Sequence, residues 1–133
     1  LKGQKLESDV ESGIELMGDV ERIHQLLVIL LDNSMKFTPA DGTIRVVARK
    51  KGHDVELVVE DTGVGISAED LPHIFDRFYH GDKSRARSTG GTGLGLAIAK
   101  WIVEKHGGEI TPASVLGEGT KMMLRFRVWQ RKG

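Results

Sequence analysis

The chain has no cysteine, which excludes a disulfide framework and thiol chemistry and suits a reducing compartment. It has no surplus of charge of either sign, with Lys+Arg 19 against Asp+Glu 19, so composition gives no case for a nucleic-acid partner or a polybasic membrane surface. No apolar run approaches the ~18–20 residues that a bilayer-crossing helix needs. The first residues, Leu1-Lys-Gly-Gln-Lys5, do not have the form of a signal peptide, and the expected location is cytoplasmic. Glycine is the residue in excess: 17 of the 133 residues, roughly twice the usual ~7%. Many of these glycines cluster at motif positions, which marks them as ligand geometry and not as linker. The length suits one domain with a real core.

Periodicity lays out the elements. Val10–Leu16 reads as a weak strand closed by the turn Met17-Gly-Asp19. A helical stripe of Ile23, Leu26, Leu27, Leu30 and Leu31 runs from Val20 to about Phe37 and stops at Thr38-Pro-Ala-Asp-Gly42. Two alternating strands follow, with Ile44, Val46 and Ala48 on one face of the first and Val55, Leu57 and Val59 on one face of the second; Lys51-Gly-His-Asp54 joins them. Ser67 caps a short helix, and Ile74–Tyr79 is a further short apolar turn. Leu94, Ala97, Ile98, Trp101 and Ile102 stripe a helix that Gly107-Gly108 ends. Strands are expected over Glu109–Ser114 and Thr120–Val128. The sum is about five strands with three helices over one face, a two-layer α/β sandwich.

The run Thr89-Gly-Gly-Thr-Gly-Leu-Gly-Leu-Ala-Ile98 passes straight into that late helix. Crowded glycines let backbone N–H groups approach a ligand, and the helix start points its unpaired N–H groups the same way, which together suit an anion. It is not a Walker A loop, because no Gly-Lys-Ser/Thr closes it. The charged stretch His80-Gly-Asp-Lys-Ser-Arg-Ala-Arg-Ser88 before it has no buried periodicity. It reads either as a solvated loop or as a lid whose His80, Lys83, Arg85 and Arg87 fold onto phosphates.

Two earlier positions complete a set. Asn33 sits at the edge of the first helix's buried stripe, where its amide oxygen suits a hard cation such as Mg²⁺, and Lys36 lies one turn on. Asp61-Thr-Gly-Val-Gly65 puts a carboxylate just past a buried strand, with glycines that let a flat ring lie against the backbone. Taken alone, Asn33 and Lys36 are as readily solvated helix residues and Asp61 a turn residue. Coupled to the late glycine run, one motif holds a base and the other its phosphates. The histidines show no metal-ligand spacing, and Phe75 and Phe78 read as packing beneath the lid.

At this point the chain closely resembles the catalytic and ATP-binding domain of bacterial sensor histidine kinases, of the Bergerat-fold ATPase superfamily shared with gyrase and MutL. The likeness runs from about Gly18 to Val128. It rests on Asp32-Asn-Ser-Met-Lys-Phe-Thr-Pro39, Asp61-Thr-Gly-Val-Gly-Ile66, Phe75-Asp-Arg-Phe-Tyr79, Gly91-Thr-Gly-Leu-Gly-Leu96 and Gly117-Glu-Gly-Thr120. The resemblance implies a mixed five-stranded sheet covered on one face by three helices, with ATP between the helices under a lid spanning roughly His80 to Thr92. It implies Asn33 on Mg²⁺, Lys36 near the phosphates and Asp61 on the adenine amine, with Gly63 and Gly65 lining the base pocket. Gly93, Leu94 and Gly95 would meet the phosphates, Thr120 would join the polar network near adenine, and Ile66, Tyr79 and His80 complete the nucleotide-binding set. Asn33, Lys36, Arg85 and Arg87 are the candidates for acting on the transferring phosphoryl group.

The same resemblance implies a single ATP-binding domain over residues 1–133 that lacks the dimerisation and phosphoacceptor domain. Its γ-phosphoryl would go to a histidine on that separate domain, and no autophosphorylation is expected from this chain alone. The chain is expected to be monomeric. The parent would be a membrane-anchored homodimer that hands phosphate to a response regulator. Two departures bear on this. Ile29 stands four places before Asn33, where such kinases carry a polar residue and hydrolysing relatives a general-base Glu. His80 stands where Arg is common, and an unperturbed histidine is mostly neutral at pH 7. Two alternatives stay open: a nucleotide-binding regulatory module without efficient transfer, and a protein-serine kinase of the same superfamily.

Overall fold

The computed structural model describes residues 3–12, 20–76 and 95–127. In chain order they form β1 (Lys5–Val10), α1 (Val20–Phe37), β2 (Thr43–Lys51), β3 (Asp54–Asp61), a 3-10 turn (Leu71–His73), α2 (Gly95–Lys105), β4 (Glu109–Val115) and β5 (Gly119–Arg127). The strands make one mixed sheet in the order β1-β2-β3-β5-β4, with β1 parallel to β2 and every other pair antiparallel.

Alternation in the strands decides which face is covered. Val55 and Val59 of β3 and Met122, Leu124 and Phe126 of β5 are buried, and Leu57 shares their phase. Leu26 and Leu30 of α1 and Ala99, Ile102 and Val103 of α2 close on Val59, Met122, Leu124 and Phe126 in one core, with Leu57 packed against it. Along α1 the buried line is Leu26, Leu30 and Ser34, continued by Thr38 just beyond the helix, which is the i, i+4 spacing of a helix face. The opposite phase of the sheet carries ion pairs. Glu60 lies between Arg45 at 3.8 Å and Lys121 at 3.7 Å. Asp9 pairs with Arg49 and Arg45, and Arg125 reaches Glu109 at 2.6 Å. Each such exposed pair is worth at most about 1 kcal/mol, and they flank an apolar cross-strand row of Val47, Val58 and Met123 on the same face. The two-layer α/β sandwich expected from the sequence is therefore the fold.

Three local expectations differ from what is found. The first strand is Lys5–Val10, not Val10–Leu16; residues 13–19, with the expected turn Met17–Asp19, lie outside the described residues. Its apolar phase is faint because β1 is an edge strand, with Leu6 51% and Val10 61% exposed. Its pairing comes from the backbone of β2, not from an apolar stripe of its own. Second, Ser67 does cap a turn, its Oγ accepting from the N–H of Asp70 at 3.3 Å. The helix expected from it shrinks to the 3-10 turn Leu71–His73, since Pro72 has no N–H to give the carbonyl of Ala68. Among the described residues there are thus two α-helices, not three. Third, Gly119 and Val115 extend the last two strands by a residue, while Val128 and Leu94 lie outside the described residues.

Candidate functional site

The site is organised where β3 runs out. Asp61, its last residue, stands opposite Thr120 of β5 in the ladder. The Asp61 Oδ1 accepts the N–H of Gly63 at 2.9 Å and that of Thr120 at 3.3 Å. Two backbone donors from different segments thus set the plane of one carboxylate. The loop that follows is pressed against its surroundings. A Cβ on Gly63 would lie 2.4 Å from the carbonyl oxygen of Phe37 at the end of α1. Gly65 has φ +75°, and a Cβ there would stand 2.2 Å from the carbonyl oxygen of Val115; only glycine fits both the backbone and the space.

Backbone hydrogen bonds tie this loop to both sides. Val64 N–H donates to the Phe37 carbonyl at 3.0 Å, and Gly117 N–H donates to the Val64 carbonyl at 2.7 Å. The end of α1, the Asp61–Gly65 loop and the β4–β5 turn are therefore one connected surface.

A hydroxyl network underlies it. Ser114 Oγ donates its single proton to the Gly119 carbonyl at 2.7 Å and accepts the N–H of the buried Ile66 at 2.7 Å. Its 2.9 Å contact with Thr120 Oγ1 must then take its proton from Thr120. The Thr120 hydroxyl, with its proton committed, offers only acceptor lone pairs to anything else beside it. Ser114 was not among the sequence candidates. Its one signal is its phase in β4, where it shares the inward side with Ile110 and Pro112, a small hydroxyl in an apolar row.

Asn33 and Lys36 lie on the last two turns of α1, which the loop contacts through Phe37. Asn33 is half-buried, and its amide makes no hydrogen bond to the described residues. Lys36 pairs with Asp32 one turn back at 3.2 Å, both largely exposed. Ile29, one turn before Asn33, has its Cγ2 3.6 Å from where a Cβ on Gly95 would sit, so α1 meets α2 at the latter's N-terminus. Phe75 packs against the core, and Lys100 Nζ stands 5.5 Å from its ring centre.

Asp61, Gly63, Gly65, Ile66 and Thr120 are thus brought together with the end of α1, and Gly95 with its middle. Tyr79, His80, Arg85, Arg87, Gly93 and Leu94, together with Lys83 and Phe78, lie outside the described residues. A half-buried amide without a partner among the described residues is the kind of oxygen ligand that a hard cation uses alongside phosphate oxygens and water, so Asn33 fits Mg²⁺. Among the described residues no group of three His, Cys, Asp or Glu could hold a metal ion by itself. No helix among them is long and apolar enough to cross a membrane.

The family model described as histidine kinase-, DNA gyrase B-, and HSP90-like ATPase matches residues 18–130. The chain is 46% identical over 121 residues to the sensor histidine kinase YkoH of Bacillus subtilis (strain 168), covering 91% of this chain and 26% of that protein. It is 36% identical over 120 residues to the sensor-like histidine kinase SenX3 of Mycobacterium bovis, covering 90% of this chain and 29% of that one. The chain thus spans about a quarter of the length of these relatives. Among solved structures, the mycobacterial sensor histidine kinase MprB superposes with a TM-score of 0.85 at 30% identity, over 95% of this chain and 84% of that one. Full-length ShkA, solved in complex with AMPPNP, superposes with a TM-score of 0.83 at 26% identity, over 99% of this chain and 27% of that one.

Proposed function

Because the chain belongs to the histidine kinase-, DNA gyrase B- and HSP90-like ATPase family, we propose that it is the ATP·Mg²⁺-binding domain of a two-component sensor histidine kinase. Its task is to present the γ-phosphoryl group to a histidine imidazole on a separate dimerisation domain. The observation that carries the reading is the Asp61 carboxylate, fixed by the N–H groups of Gly63 and Thr120 on a surface continuous with the end of α1. A carboxylate with a set plane accepts the exocyclic amine of adenine and rejects the carbonyl that guanine carries at that place. Gly63 and Gly65 let the base lie close to the backbone, Ile66 supplies apolar floor, and Thr120 adds an acceptor.

The phosphates would lie towards the start of α2 at Gly95, which favours negative charge, and the resemblance adds Gly93 and Leu94 as backbone donors. Asn33 would hold Mg²⁺, which would neutralise phosphate charge when bound, and Lys36 would add a point charge near the phosphates. From the sequence resemblance alone, Tyr79 and His80 would belong to the nucleotide-binding set, and Arg85 and Arg87 would act on the transferring group. Catalysis here is positioning and electrostatics for in-line attack; the attacking imidazole belongs to the other domain. The parent is a membrane-anchored homodimer with its kinase domains in the cytoplasm, passing phosphate on to a response regulator.

Titration calorimetry with ATP and GTP, with and without Mg²⁺, tests the binding half on the parent, Asp61→Ala and Asn33→Ala chains. ATP preferred over GTP, lost in Asp61→Ala, with the Mg²⁺ dependence lost in Asn33→Ala, is the expected pattern. Labelled ATP mixed with a separately made dimerisation domain tests transfer, and an acid-labile phosphohistidine is the expected product. Ile29 favours a second reading, a nucleotide-binding regulatory module, since an isoleucine facing Gly95 can neither coordinate nor take a proton. Binding without labelling would select it.

A further inference from the structure

Gln4 immediately precedes β1, and its side chain is 6% exposed. Its amide leaves its own strand altogether. Nε2 donates to the carbonyl of Met35 at 2.9 Å and to that of Thr38 at 2.6 Å, at the C-terminal end of α1. Both carbonyls need an outside donor for a reason written in the chain. Helical bonding would give the Met35 carbonyl the N–H of residue 39, but residue 39 is proline and has none. The Thr38 carbonyl would look to Gly42, whose N–H goes instead to the Pro39 carbonyl at 2.9 Å. One primary amide carries two protons on a single nitrogen, and Gln4 spends both on these two orphans. Its own place is set by the next residue, whose N–H donates to the Gly42 carbonyl at 2.9 Å.

The last turn of α1 is therefore gripped from two sides, by Gln4 at Met35 and Thr38 and by Val64 at Phe37. The grip also has a cost: the Gln4 Oε1 and the neighbouring Thr38 Oγ1 are buried without a partner among the described residues, set against the two carbonyls that the amide satisfies.

We propose that Gln4 is a positioning residue for the phosphate end of the nucleotide site. Acting through the Met35 and Thr38 carbonyls, it keeps the last turn of α1, and with it Asn33 and Lys36, in register with the Asp61–Gly65 loop. This rests on the nucleotide reading of Asn33 and Lys36, so the test has one arm that needs no ligand.

Gln4→Met keeps the length and removes both donors; Gln4→Asn, one carbon shorter and still an amide, is the milder variant should the first not fold. In the ligand-free chain, hydrogen exchange at the Val64 amide is expected to speed up about tenfold in Gln4→Met and about threefold in Gln4→Asn, relative to the core amide of Leu124. In the ligand arm, affinity for ATP·Mg²⁺ is expected to fall roughly 5–20-fold while that for adenosine stays within about twofold. Unchanged exchange at Val64 would overturn the clamp. Parallel loss of ATP and adenosine binding in a folded variant would overturn the positioning role and leave a structural one. A parent chain that binds neither ligand would sink the nucleotide reading and the positioning role with it, while accelerated exchange at Val64 would still uphold the clamp.

Discussion

Ile29 of α1 meets Gly95 of α2, its Cγ2 3.6 Å from the place a Cβ would take there, one helical turn before Asn33. An apolar branched side chain therefore occupies the point where α1, the proposed cation-binding helix, faces the start of α2. It closes the helices together at the expense of a possible oxygen ligand.

Ile29→Asn should exchange one property for the other. The new amide would stand i−4 to Asn33 on the same side of the helix, and a second oxygen should tighten ATP binding in Mg²⁺ by about 3–10-fold, or about 0.7–1.4 kcal/mol. Ile29 packs against the core, so the same change should cost on the order of 1–3 kcal/mol of folding stability. Calorimetry in Mg²⁺ and in EDTA, paired with urea denaturation, reads both. Equal gains with and without the metal would refute the ligand role.

Asp61→Asn preserves volume and removes the anionic acceptor. A hydrogen bond to a charged group is worth about 1.5–3 kcal/mol, so ATP affinity should fall by roughly 10–150-fold. The preference for ATP over GTP should shrink with it, because the amide can turn an N–H towards a guanine carbonyl. Competition titration between the two nucleotides measures this directly. Retained discrimination would move the base elsewhere.

How much of this was legible along the chain depended on where the determining contact lay. Val55, Leu57 and Val59, or Met122, Leu124 and Phe126, announce themselves by alternation, and the stripe of α1 by its period. Asp61 and Thr120 are 59 residues apart and joined by a hydrogen bond, and each sits in a glycine-marked motif, so both stood among the sequence candidates. Ser114 and Gln4 did not. Ser114 gains its role from Ile66, 48 residues away, and Gln4 from carbonyls 31 and 34 residues away. No local pattern records such partners; they follow only once β4 is placed beside β5 and β1 beside β2. The edge strand β1 was misplaced because an edge needs no apolar stripe. The helix expected from Ser67 is a 3-10 turn because Ser67 is a good cap in front of a poor sequence, with Pro72 in it.

Ser114→Ala tests the hydroxyl network. It leaves the buried Ile66 N–H and the Gly119 carbonyl without their partner, at a cost of about 1–3 kcal/mol. Thermal unfolding should show a midpoint lowered by roughly 3–10 °C. Ser114→Thr keeps the hydroxyl and should restore most of the loss. An alanine variant as stable as the parent would mean that the network carries no weight.

Gly65 and Gly52 share a left-handed backbone, φ +75° and φ +61°, and differ in surroundings, which separates backbone strain from steric exclusion. A Cβ on Gly52, in the β2–β3 turn, meets nothing within 4 Å. Gly52→Ala should therefore cost only the conformational penalty of about 1–2 kcal/mol, seen in urea as a midpoint lowered by about 0.5–1 M with an unchanged slope. A Cβ on Gly65 would stand 2.2 Å from the Val115 carbonyl oxygen, and backbone cannot rotate away as a side chain can. Gly65→Ala must push the β4–β5 turn off the loop and break the 2.7 Å bond from Gly117 N–H to the Val64 carbonyl. The expected result is a loss of more than about 3 kcal/mol, with nucleotide binding abolished in whatever fraction stays folded. Equal costs at the two glycines would mean that the loop does not rest on the turn as described.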